Sequence, residues 1–110
     1  MDKVKNVNYH FKTFNAVTDV SVKADIILCK EMFIHLSFLH INDCLMNFKK
    51  SGSTYLLCSD SSNIKNNDIN YSCLGECRHV SLMRPPFNLP EPIFQYSCYK
   101  IWDLYLITDK

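Results

Sequence analysis

The chain has 110 residues, 47% hydrophobic and 21% charged, with a formal net charge of +1, a balance that excludes wholesale disorder and fits one domain with room for a core. Residues 1–50 hold seven Lys/Arg against five Asp/Glu and residues 51–110 five against six, so neither half offers the basic stripe on which nucleic-acid binders depend. Two glycines, Gly52 and Gly75, cannot build a dinucleotide fingerprint, a P-loop or a Gly-x-Ser-x-Gly elbow.

The N-terminus lacks the apolar run of a secretory signal, and no stretch reaches the ~18 apolar residues of a membrane span. A soluble, intracellular protein of the cytoplasm or nucleus is expected, with no membrane partner and with its six cysteines reduced.

Residues 1–6 are polar and expected to fray. Val7, Tyr9 and Phe11 then alternate with polar residues, and Val20 and Val22 flank Ser21; this period of two predicts a hairpin or bent strand over 7–22. Over 24–39 a helix is expected, with Asp25 as its cap and Leu28, Met32, Leu36 and Leu39 on one face. A strand over 33–41 is the competing reading of part of that stretch. Ile41-Asn42-Asp43 reads as a break, followed by a short helix from Cys44 to Lys50. The two lysines suit its C-terminal end, and Gly52 suits the left-handed position beyond it.

Thr54–Cys58 is expected as a strand and Ser59–Asn70, rich in Ser, Asn and Asp, as a loop. Ile69–Leu74 and Arg78–Met83 read as strands around a turn at Leu74-Gly75-Glu76. Arg84–Pro92 contains all four prolines and reads as a stiff surface connector. Ile93–Ile107 is expected as a final strand or strand pair because it is rich in Ile, Tyr, Phe and Trp, although Phe94, Cys98, Ile101, Trp102 and Tyr105 also align at helical spacing. Counted as one continuous strand, it sets Phe94, Tyr96, Cys98, Trp102 and Leu104 on one face and Tyr99, Ile101 and Tyr105 on the other. Both faces are apolar, as in a central strand. The fold class is α+β: a single domain over 1–110, an antiparallel sheet with one or two helices packed on one face.

Little of the chain carries recognisable chemistry. Cys73, Cys77 and His79 stand at a spacing that could supply two or three zinc ligands across a tight turn, with Cys58 or Cys98 as a fourth. Structural zinc sites show two paired knuckles and this chain shows one, so ordinary thiols and no cofactor are expected, with zinc as the competing reading. His35 and His40 suit neither a helical nor a strand ligand pair, and the carboxylates are scattered singly, so no enzyme is expected. The remaining profile is that of a non-catalytic protein-binding module, such as an inhibitor, an immunity-type or host-factor antagonist protein, or a small subunit of a complex, whose partner is another protein. Contact residues are expected in the connector (Phe87, Leu89), in the polar loop (Asp60, Asp68) and at Tyr99. An OB-like single-stranded nucleic-acid module and a small zinc-binding domain are the alternatives.

Overall fold

Ile26–Cys29 opens with two adjacent β-branched side chains, whose stiff χ1 suits a pleated strand. In the computed structural model, which describes residues 9–62, 64–69 and 77–108, this segment is strand β1. It pairs in parallel with β2, Tyr55–Ser59, in the register Ile26 to Tyr55 through Cys29 to Cys58. The helix expected over 24–39 is therefore corrected to a strand followed by a single 3-10 turn, Phe33–His35, before the helix proper. Glu31 is the physical reason: its φ of 53° lies in the left-handed region, where an α-helix cannot continue, and its N–H donates to Ser59 Oγ at 2.7 Å.

The helix starts later. α1 runs Phe38–Lys50, capped by Ser37, whose side chain accepts from the His40 N–H at 3.2 Å. Ile41, Cys44, Leu45 and Phe48 form its buried stripe at spacings of three and four. Asn42 and Asp43, expected to interrupt the helix, lie inside it. Gly52 takes φ 77° just past the C-cap Ser51, as the glycine reading required, and its N–H donates to the Lys49 carbonyl at 3.1 Å.

The C-terminal run is a strand pair. β3, Phe94–Tyr96, and β4, Tyr99–Asp103, form a hairpin closed by Ser97-Cys98, with Tyr96 opposite Tyr99. Ser97 carries φ 55°, the positive value that two-residue hairpin turns need and that glycine usually supplies. β4 also pairs antiparallel with β2, so the sheet order is β1-β2-β4-β3. The sheet is thus partly parallel. The turn also corrects the continuous-strand count, because Phe94 and Tyr96 share a face with Tyr99 and Ile101, away from Trp102.

The expected strands at the N-terminus and over 78–83 are absent among the described residues. Residues 9–24 are irregular with a turn at 16–18, and the side-chain amide of Asn47 on α1 donates to the Ala16 and Val17 carbonyls at 3.1 and 3.0 Å. Alternation marks a one-sided apolar surface, but a strand needs a neighbouring strand, and among the described residues none lies beside 9–22. Over 80–82 side chains replace that neighbour. Asn66 Oδ1 accepts from the Ser81 N–H at 2.8 Å, its amide donates to the Ser81 carbonyl at 2.8 Å, and Asp60 Oδ1 accepts from the Leu82 N–H at 2.9 Å. The fraying expected of residues 1–6 and most of the strand expected over 69–74 lie outside the described residues. Among the described residues no helix is long and apolar enough to cross a membrane.

The core lies between one sheet face and a cover made of α1 and the irregular chain over 80–90. Leu56, Cys58, Lys100 and Trp102 point into it, with Phe33, Val80, Leu82, Phe87 and Leu104 around them. Trp102 is 1% exposed, and its Nε1–H donates to the Pro90 carbonyl at 2.8 Å, so it ties sheet to cover. Truncating a buried aromatic costs about 3–5 kcal/mol, a large share of the 5–15 kcal/mol typical of a domain. Trp102→Ala is therefore expected to unfold the domain or lower its unfolding free energy by about that amount in urea. Trp102→Phe should lose only a part of this; an unchanged urea midpoint in Trp102→Ala would contradict this packing.

Candidate functional site

One helix can cover one face of a four-stranded sheet. The second face of this sheet meets no other element among the described residues, and period-two alternation fixes what it presents. Leu28 on β1 pairs with Leu57 on β2, Leu57 with Ile101 on β4, and Ile101 with Phe94 on β3. An unbroken apolar row therefore crosses all four strands. A flanking row runs Ser59, Tyr99, Tyr96, and on the other side Ile26 and Tyr55 lead to Asp103. Leu28 is 62%, Phe94 59% and Tyr96 74% exposed.

Six of these side chains, Leu28, Leu57, Phe94, Tyr96, Tyr99 and Ile101, line a groove of about 470 Å³ with Lys30 at its rim. That volume falls within the range of binding pockets. Taking about 200 Å² for a large apolar side chain, the face exposes roughly 600 Å², the upper end for the largest patch on a monomer.

A second concavity sits at the carboxyl ends of the two parallel strands, the end of an open sheet where ligands usually bind. It is lined by Glu31, Ser59, Asp60, Ser61, His79 and Cys98 among others. His79 Nδ1 lies 3.3 Å from Ser61 Oγ. Its volume is about 190 Å³, small beside the several hundred Å³ of ligand pockets. Beneath it Lys100, 1% exposed, places its Nζ 2.7 Å from Asp60 Oδ2 and 2.9 Å from Ser62 Oγ. Burial pushes the Asp60 carboxyl above its ordinary range, and the hydrogen bonds from Lys100 and the Leu82 N–H hold back part of that rise.

The residues expected to contact a partner divide sharply. Tyr99 lies on the open face. Phe87 and Leu89 fill the core at 3% and 7% exposure, Phe87 edge-on to Phe38 with ring centroids 5.3 Å apart. The proline segment keeps Pro85, Pro86 and Pro90 at the surface as expected, but Phe87 and Leu89 turn into the core beneath it. Asp60 is engaged by Lys100 and Leu82. Asp68 is surface-exposed, and its Oδ1 accepts from the Phe38 N–H at 2.9 Å and the Ile69 N–H at 2.8 Å. An acceptor there supports the start of α1, where the dipole favours negative charge. Arg78 braces the same junction, donating to the Asn67 and Phe33 carbonyls at 2.9 Å each.

Of the candidate zinc ligands, Cys77 and His79 are exposed, and Cys73 lies outside the described residues. Among the described residues no group of three or more His, Cys, Asp or Glu is placed to hold a metal, and Cys29, Cys44, Cys58, Cys77 and Cys98 are free thiols. Cys58 is raised well above the usual thiol range, by a hydrogen bond with Cys29 and then by burial. Burial, with Cys29 and Asp43 nearby, pushes Cys44 up to about 12. Thiols held protonated make poor nucleophiles, so Cys44 and Cys58 serve packing.

Sequence reasoning missed Leu28, Leu57, Phe94 and Tyr96 as surface residues, and Lys100 as a core one. For Lys100 a signal existed, because period two sets it on the Trp102 face. Comparison with known proteins finds no matching family, no matching characterised protein and no matching solved structure.

Removing one member of a buried ion pair leaves the other charge stranded, at a cost of about 3–5 kcal/mol, whereas replacing both is often neutral. Lys100→Met is expected to destabilise the domain by about that amount in urea denaturation. Adding Asp60→Asn, which keeps an acceptor for the Leu82 N–H, should recover most of the loss. Equal stability of the single variant and the parent would contradict the buried pair.

Proposed function

We propose that this chain is a non-catalytic protein-binding module whose open sheet face is the surface a partner covers. The observation that carries the reading is the four-strand apolar row Leu28, Leu57, Ile101, Phe94, left uncovered by the described residues while the opposite face buries Cys29, Leu56, Cys58, Lys100 and Trp102. Exposed apolar patches of this size mark interaction sites, and aromatics concentrate the binding energy of interfaces. An inhibitor, an immunity-type or host-factor antagonist protein, or a small subunit of a complex each needs a surface of this kind. The free thiols support a reducing, intracellular setting.

Phe94, Tyr96 and Tyr99 on one sheet face favour a second reading, as a platform on which single-stranded bases stack. Among the described residues that line the groove Lys30 is the one cation, which argues against it, because phosphate neutralisation supplies most of such affinity. Loss of binding to oligonucleotides with rising salt would support this second reading.

The first reading is tested with a photoreactive phenylalanine analogue at position 94 in cells of the source organism. The expected result is one discrete protein adduct, abolished by Leu28→Asp and not formed from position 11, where Phe11 is 91% exposed but off the face. A diffuse set of adducts equal at both positions would contradict it.

A further inference from the structure

We propose that the partner on the open sheet face is a second copy of this chain, packed face to face about a two-fold axis that runs along the strands midway between β2 and β4. The proposal rests on the reading of that face as a protein-binding surface.

Three observations carry it. The first is area. The face exposes roughly 600 Å² of apolar side chain, about three quarters of the ~800 Å² per partner in a standard interface.

The second is self-complementarity. The strand order β1-β2-β4-β3 is reversed by such an axis, so β1 lies over β3 of the second copy and β2 over β4. The register then sets Leu28 over Phe94 of the second copy and Leu57 over its Ile101. Each contact occurs twice, as an isologous interface demands. In the central row Phe94 meets Leu28 at the two edges, and Leu57 meets Ile101 between them.

The third is charge. Among the described residues Lys30, just past edge strand β1, and Asp103, at the far end of inner strand β4, bring formal charge to this face. The same axis carries Lys30 toward Tyr96 of the second copy, where a cation on a ring face is favourable. It carries Asp103 toward Tyr55 of the second copy, whose hydroxyl can donate to the carboxylate. No like charges meet. Aligned sheets pack with their strands within about 30° of one another, so the natural twist shifts these contacts without changing which strands face each other.

A heterologous partner would need to bring the complement of this pattern. A second copy already contains it, and a net charge of +1 sets no repulsion against association.

The test is sedimentation equilibrium of the full chain with two single variants and their mixture. Leu28 and Phe94 are more than half exposed, so charged substitutions there leave the core intact; thermal melting by circular dichroism confirms that each variant folds. The wild type should dimerise, and Leu28→Asp and Phe94→Lys should each weaken the dimer by roughly 100-fold or more. An equimolar mixture of the two variants should recover dimers, because the axis sets the introduced carboxylate against the introduced ammonium at one site and leaves the native Leu28 and Phe94 together at the other. Phe11→Asp should dimerise as the wild type does.

A monomeric wild type at concentrations on the order of 100 μM, ample for a specific interface of this area, would overturn the second copy as the partner. The photo-crosslinking result then decides separately whether the face binds another protein. A dimer indifferent to Leu28→Asp and Phe94→Lys would overturn the proposed interface, as would a mixture that stays monomeric.

Discussion

A sheet has two faces, and the described residues hold one α-helix with which to cover them. Domains are built by burying an apolar face against another layer, and here α1 and the irregular chain over 80–90 close one side only. Everything else in the structure follows from that shortage. The covered face holds Trp102 and the buried stripe of α1, while the uncovered face keeps an apolar row across all four strands.

The cover itself is unusual in its materials. Half of it is irregular backbone, which must satisfy its own polar groups to be buried at all. Asn66 and Asp60 provide that satisfaction, bonding Ser81 and Leu82 where a strand would bond them. Asp60 also neutralises Lys100, the one charged side chain that β4 sends inward. The ion pair, the loop over 80–82 and the end of β2 are therefore one unit, and the long polar loop is structural in at least this part. That scaffold role keeps the Asp60 carboxylate inside the fold.

The α+β class, the strand at 54–58, the polar loop, the C-terminal strand pair and Gly52 at the helix end were legible in the sequence. Those features rest on local chemistry: β-branched and aromatic runs, turn-forming residues, and a left-handed position that suits glycine. Features set by distant partners were not legible. Ile26–Cys29 shares helical spacing with Met32, Leu36 and Leu39, and only its pairing with β2 and the left-handed Glu31 make it a strand. Val80–Leu82 has the composition of a strand and is held instead by side chains from residues 60 and 66. Phe87 and Leu89 sit in a proline-rich stretch that reads as surface, and nothing local announces the core beneath them. For the candidate site, Tyr99 was legible and its neighbours were not. The turn at Ser97-Cys98 lacks the Asn-Gly or Asp-Gly signature, so the hairpin that brings Phe94 and Tyr96 beside Tyr99 and Ile101 leaves little trace in the sequence.

An apolar face left open by the fold is most simply read as an interface, and its symmetry about the sheet axis points to the chain itself. The most direct measurement is the accessibility of the Leu28, Leu57 and Ile101 methyl groups to a soluble paramagnetic probe, followed by NMR as the protein is diluted. A face-to-face dimer predicts that these methyls are shielded in concentrated protein and become accessible on dilution, while Val22, exposed and off the sheet, stays accessible throughout. Equal accessibility of the face at every concentration would contradict it.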